Sequence, residues 1–227
     1  MALLHRAEIR PGKLELLATW LPGRPWYAGP VDGEPTRVAS YRFDDPAGAV
    51  GIETMLVRVG AGPVYQVPLT YRDAPLAGAD EWLVGTTRHS VLGPRWVYDA
   101  CGDPVYAAAL AAAIGTGAGQ AEEYFEVDGV REVREPSMTV AVQGGVAVPA
   151  VGGVRRVTDG EPTRIVTDAV DLVVARRLPG DGSAADGLSG DRLFADGSAG
   201  DGSAGATLTG AWPGQPTPLP LARVLPH

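Results

Sequence analysis

Cysteine, histidine and lysine are almost absent from this chain of 227 residues. Cys101 is the only cysteine, so no internal disulfide can form, and a reduced, cytoplasmic setting is the expectation. A nucleophilic Cys101 would need a base beside it, and no histidine is near it in sequence. The three histidines, His5, His89 and His227, include no pair at metal-ligand spacing, so no metal site is expected. No Gly-x-Ser-x-Gly elbow and no Walker-type loop occurs, and no cofactor is implied. The Gly115–Gly119 run is glycine-rich but follows a helix, whereas a phosphate cradle precedes one. No apolar run reaches about 18 residues, so no membrane-spanning helix is expected. The segment from Met1 to Glu8 meets charge after four residues, too soon for the apolar core of a signal peptide. The net charge is −8, which argues against nucleic acid as a partner. Lys13 is the only lysine among nineteen basic residues; this arginine bias, with 31 Gly and 20 Pro, suggests a GC-rich genome.

Aromatic residues are scarce too, at 7%, which makes the eight residues from Trp20 to Tyr27 conspicuous because they hold three. Leu14, Leu17 and Leu21, with Leu16 and Trp20, have helical spacing, and Pro22-Gly23 ends that helix. Segments 36–43, 50–59, 64–71 and 90–98 read as strands. Ala61-Gly62-Pro63 makes the middle two a hairpin. Pro68 lacks an N–H and predicts an edge position or a bulge. Together they suggest an antiparallel meander with one face free for a helix. Asp103-Pro104 opens a second helix, N-cap followed by proline, which Gly115 and Gly117 end. A hairpin is predicted around Asp128-Gly129. Short strands follow at 137–142, 146–151, 164–167 and 169–178.

From Gly180 to Ala204 the chain repeats five residues five times, with aspartate second in each unit. A calcium loop would need a closing glutamate, and a pentapeptide β-helix an apolar centre in each unit. Both are missing, so the segment reads as an acidic, disordered linker. It accounts for half of the net charge. Residues 208–227, with five prolines and Trp212, read as a tail that docks through Trp212 and Leu219 or stays loose. The fold class is therefore α+β: a curved antiparallel sheet packed with one or two helices, then a small β-rich segment and a disordered tail.

Four pieces carry a resemblance. They are Trp20-Leu21, Arg24-Pro25-Trp26-Tyr27-Ala28-Gly29, Tyr65-Gln66-Val67-Pro68-Leu69, and Val97-Tyr98-Asp99-Ala100 leading to Asp103-Pro104. In this order they resemble the N-terminal cap of actinobacterial maltokinases, with Pro25 where that family has a second arginine. The resemblance covers about residues 10–115. A fainter one runs from Val154 to Leu178 and resembles the start of the kinase N-lobe. There the strand lysine that would hold ATP phosphates is replaced by Val174 or Ala175. The helical lobe, with its His-Gly-Asp segment and metal-binding aspartate, has no counterpart in the sequence. The expected organisation is a cap-like domain over 1–115, a degenerate N-lobe-like segment over 120–178, and linker plus tail over 179–227.

The resemblance implies a non-catalytic binding or scaffolding protein near trehalose, maltose or α-glucan metabolism, partnered by an enzyme of that route. A small-sugar or glucan binder is the second reading. Trp26, Tyr27, Trp82, Trp96 and Tyr98, with Asp99, would then form the ligand site, although core packing is the ordinary role of such rings. An enzyme of another class is the third, with Asp99, His89 and Glu53 as acid/base candidates. The adjacent carboxylates Asp44-Asp45 and Glu122-Glu123 read as solvated turns and faces.

Overall fold

A computed structural model describes residues 2–4, 7–127, 129–145, 147–179 and 205–227. The acidic repeat lies outside the described residues, as do His5 and Asp128. The chain begins with two short strands, β1 (Ala2–Leu4) and β2 (Ile9–Arg10). Helix α1 (Lys13–Trp20) follows, where the Glu15 carboxylate accepts the Gly12 N–H at the helix start. A 3-10 turn, Leu21–Gly23, ends it as the Pro-Gly pair predicts. Then come β3 (Pro35–Phe43), β4 (Gly51–Val59), β5 (Val64–Arg72), β6 (Leu83–His89) and β7 (Gly93–Asp99). Helix α2 (Pro104–Thr116) is capped by Asp103, whose side chain accepts the Val105 N–H at 2.9 Å. It stops at Gly117, which takes a left-handed φ of 68°.

Seven strands make one antiparallel sheet, ordered β2-β6-β7-β5-β4-β3, with the short β14 (Arg177–Leu178) added beside β5. This is not the simple meander expected. The β6 strand escaped the sequence reading because Gly85 interrupts its alternation. The β6–β7 hairpin folds back so that β7, not β6, pairs with β5. Pro68 is not on an edge strand either, since β5 lies inside the sheet. Gln66 donates its N–H to the Arg176 carbonyl at 2.9 Å, and β7 begins pairing only at Leu69. Two residues on from Gln66, Pro68 faces the gap between those two neighbours, where no N–H is needed.

The sheet curls into a half-barrel, because α1 packs on both β3 and β6, strands far apart in sheet order. Alternation then sorts the side chains. Met55, Val57, Tyr65, Val67, Leu69 and Val97 turn inward onto Leu17, Trp20 and Leu21. Ala39, Tyr41, Phe43, Ile52 and Leu56 turn outward into a larger core shared with α2 and a second sheet.

That second sheet draws on β10 (Thr139–Gln143), β11 (Val154–Thr158), β12 (Thr163–Thr167), β13 (Val170–Val174), β15 (Thr207–Trp212) and β16 (Gln215–Pro226), in the order β10-β15-β16-β13-β12-β11. Residues 207–226 are therefore not a loose tail but two inner strands. Leu208, Leu221 and Val224 are fully buried, and Trp212 nearly so. The prolines that suggested a tail are accommodated because pairing to β13 starts only at Ala222, leaving one edge of Pro216, Pro218 and Pro220 open. Residues 147–151 form no strand, contrary to expectation. The predicted hairpin is present as β8 (Glu123–Val127) and β9 (Val130–Val133), and β1 adds to β8 in parallel.

Candidate functional site

Two regions concentrate polar chemistry: a seam between the half-barrel and the second sheet, and a charged groove at the open end of the half-barrel.

The seam is built from the pieces that carry the resemblance. Trp26 is buried, edge-on to Trp20 with centroids 5.8 Å apart, and its Nε1 donates to Asp159 Oδ1 at 2.7 Å. Tyr27 lies half-buried against Tyr65 and folds back over Gly29, donating to the Pro30 carbonyl at 2.8 Å. A Cβ at residue 29 would come 2.5 Å from the Tyr27 hydroxyl, which is why glycine stands there. Buried Gln66 donates its amide hydrogens to the carbonyls of Ala175 (2.8 Å) and Leu221 (2.9 Å), tying β5 to the second sheet. Asp99 accepts the Cys101 N–H at 3.1 Å and a charged hydrogen bond from Arg176 Nη2 at 2.6 Å. Both members of this pair are fully buried. Arg176 also donates Nε to Thr163 Oγ1 at 2.7 Å and lies 4.9 Å from the Trp26 ring centroid. Burial pushes the Asp99 carboxyl upward while Arg176 pulls it back.

The six residues expected to bind ligand are thus placed inside the protein rather than on one face. Trp26, Tyr98 and Asp99 are buried, Trp82 is 8% exposed, and Tyr27 and Trp96 are half-buried. Trp82 and Tyr98 pack together, with Trp96 and Val157 of β11 against them, and the Tyr98 hydroxyl accepts the Leu76 N–H at 2.9 Å. In the structure Trp26 and Tyr27 pack in the core around α1, and Trp82, Trp96 and Tyr98 pack with one another. Cys101 is buried as well, and burial drives its thiol well up, so no ready thiolate exists.

The groove has a volume of about 810 Å3. Pairing register puts Arg42 opposite Glu53, and Arg95 opposite Thr87, on the inward face. Buried Glu53 Oε2 accepts from Lys13 Nζ, from the Tyr71 hydroxyl at 2.8 Å, and lies 3.2 Å from Arg42. Arg42 also meets Glu123 at 2.8 Å, and Glu123 meets Arg134 at 3.1 Å. Burial alone would raise the Glu53 carboxyl, but Arg42 and Lys13, with the Lys13 and Tyr71 hydrogen bonds, outweigh it and bring it to about 2. Glu53 is thus an ionised anchor at neutral pH. Of the acid/base candidates, Glu53 and His89 line this groove while Asp99 sits in the seam. His89 Nδ1 accepts the N–H groups of Val91 and Leu92, which fixes its ring to the β6–β7 turn.

Sequence reading missed Gln66, Asp159 and Arg176 in the seam, and Lys13, Arg42 and Glu123 beside the groove. The signal for Arg176 was present: the first of two arginines that close the apolar run from Leu172 to Ala175. For Lys13 it was the only lysine, at the start of a helix. No described helix is long and apolar enough to cross a membrane. No curated protein matches the chain. Residues 20–103 match the family model described as the maltokinase N-terminal cap domain, so the half-barrel, from the end of α1 to the cap of α2, is similar to that cap.

Proposed function

We propose that this chain is a non-catalytic binding or scaffolding module, a cap that works through protein contacts beside an enzyme of trehalose, maltose or α-glucan metabolism. The observation that carries this reading is the seam. The residues shared with the cap pattern, Trp26, Gln66 and Asp99, spend their polar atoms on a protein sheet and not on an open surface. In the strand that resembles the kinase N-lobe, Val174 and Ala175 are fully buried where a kinase needs its phosphate-binding lysine. The nearest cation, Arg176, is committed to Asp99. The test is association of the purified full-length chain with purified trehalose synthase or a glycogen-route transferase from the same host, followed by light scattering. A stoichiometric complex is the expected outcome. Absence of a complex with each of these enzymes, or turnover of maltose and ATP by the chain alone, would sink the reading.

A further inference from the structure

The groove at the open end of the half-barrel has no part in the seam, yet it is rich in charged side chains. We propose that it binds a small phosphomonoester, an organic phosphate about the size of a phosphorylated monosaccharide. Its wall carries five cations, Lys13, Arg37, Arg42, Arg95 and Arg134, against three carboxylates, Asp44, Asp45 and Glu53, within a chain whose net charge is −8.

Those carboxylates are already engaged. Asp45 accepts the N–H groups of Ala47, Ala49 and Val50 at 3.0, 3.0 and 2.9 Å. Glu53 takes its three donors on one oxygen. The cations are less evenly matched. Lys13 and Arg42 serve Glu53, and Arg134 serves Glu123. Arg95 donates to the adjacent Pro94 carbonyl, and neither it nor exposed Arg37 meets a carboxylate among the described residues. Two planar guanidinium groups thus line one groove without a carboxylate partner among the described residues, and a dianionic phosphate is a ligand whose charge suits them.

Burial, opposed by Glu53 and reinforced by repulsion from Arg42 and Arg37, holds the Lys13 ammonium below its ordinary value. A volume of about 810 Å3 falls within the range of small-molecule sites and leaves ample room beyond a bare phosphate. Ile9 and Phe125 supply apolar wall for the carbon skeleton.

Calorimetric titration of the full-length chain at low salt tests the proposal with three probes: glucose 6-phosphate, inorganic phosphate and glucose. One saturable site for glucose 6-phosphate, weaker binding of phosphate and none of glucose is expected. Affinity should fall as salt rises. The double variant R37Q/R95Q should weaken binding by roughly tenfold or more, two charge-assisted contacts being lost. Its melting temperature should stay unchanged, because neither side chain holds another element. Glucose binding as well as its phosphate, no heat with any probe, or full affinity in the double variant would each overturn the assignment. Complex formation with a partner enzyme is read separately, so failure here leaves the scaffolding reading standing.

Discussion

Replacing Arg176 by methionine should cost this protein a large share of its stability, through Asp99 more than through Arg176 itself. The two are fully buried and joined at 2.6 Å. Methionine replaces much of the arginine stem in the apolar surroundings of Trp26, so packing changes little. What remains is a buried carboxylate with only the Cys101 N–H to answer it. Removing one partner from a buried ion pair costs about 3–5 kcal/mol. With a urea slope of about 2–3 kcal/mol/M, the unfolding midpoint should drop by roughly 1–2.5 M. Tryptophan fluorescence is a suitable probe, since Arg176 lies 4.9 Å from the Trp26 ring centroid. Burial already pushes Asp99 upward, and without Arg176 nothing of opposite charge holds it down. In R176M its folded pKa therefore lies above the unfolded one. Its protonated form is compatible with burial at low pH, and that contribution is lost as pH rises, so the deficit should deepen from pH 4 to pH 8. Adding D99N to R176M should return part of the loss, because a neutral amide tolerates burial better than a lone charge. A midpoint for R176M within about 0.3 M of the parent, or strict additivity with D99N, would refute the reasoning.

The groove and the C-terminal strands each give a further test. Glu53 is held at about 2, below the ordinary 4.5, so it contributes stability above pH 5 that is lost as pH falls toward 2. The whole effect is about 3 kcal/mol. The urea midpoint of E53Q should lie below that of the parent at pH 7, and the two should converge as pH approaches 2; parallel profiles would show that Glu53 is not the titrating group. In Gly205→Ala the new Cβ would sit 2.0 Å from the Val224 carbonyl oxygen, a backbone atom with little freedom to yield. A loss of about 1–3 kcal/mol is expected. Calorimetry should then show a melting temperature lower by several degrees. An unchanged melt would place residues 205–226 outside the cooperative fold.

The legible parts of this fold were those fixed by local chemistry. Asp103-Pro104 and Gly117 mark the ends of α2 because a side-chain acceptor, a missing N–H and a left-handed turn each have few residues that suit them. The β4–β5 hairpin was readable for the same reason. Order within the sheet was not, because nothing local tells β5 to pair with β7 and not with β6. The C-terminal strands were misread since four of the five prolines from residue 208 onward fall in β16, and proline density normally signals an unpaired chain. Their partners, β10 and β13, lie far back in sequence. The groove was invisible for a related cause. Lys13, Arg42, Glu53, Tyr71 and Arg95 come from four strands and a helix, and only the curl of the sheet gathers them.

That curl also explains why the cap motif is written as it is. The sequence run from Arg24 to Gly29 left two roles open, core packing as the ordinary one and a ligand surface as the second. In the structure Trp26 has a polar end and an apolar end, and both are used against protein: the ring against Trp20 and Tyr65, the N–H on Asp159. Gln66 and Asp99 repeat the pattern, each a buried polar group answered from the second sheet. A buried polar group is costly unless its partner is present. Trp26, Gln66 and Asp99 would each carry that cost without the carboxylate, the two carbonyls and the guanidinium that answer them. The aromatic turn is in this sense the apolar part of an internal joint, whose polar part is the glutamine and the aspartate that stand further along the chain.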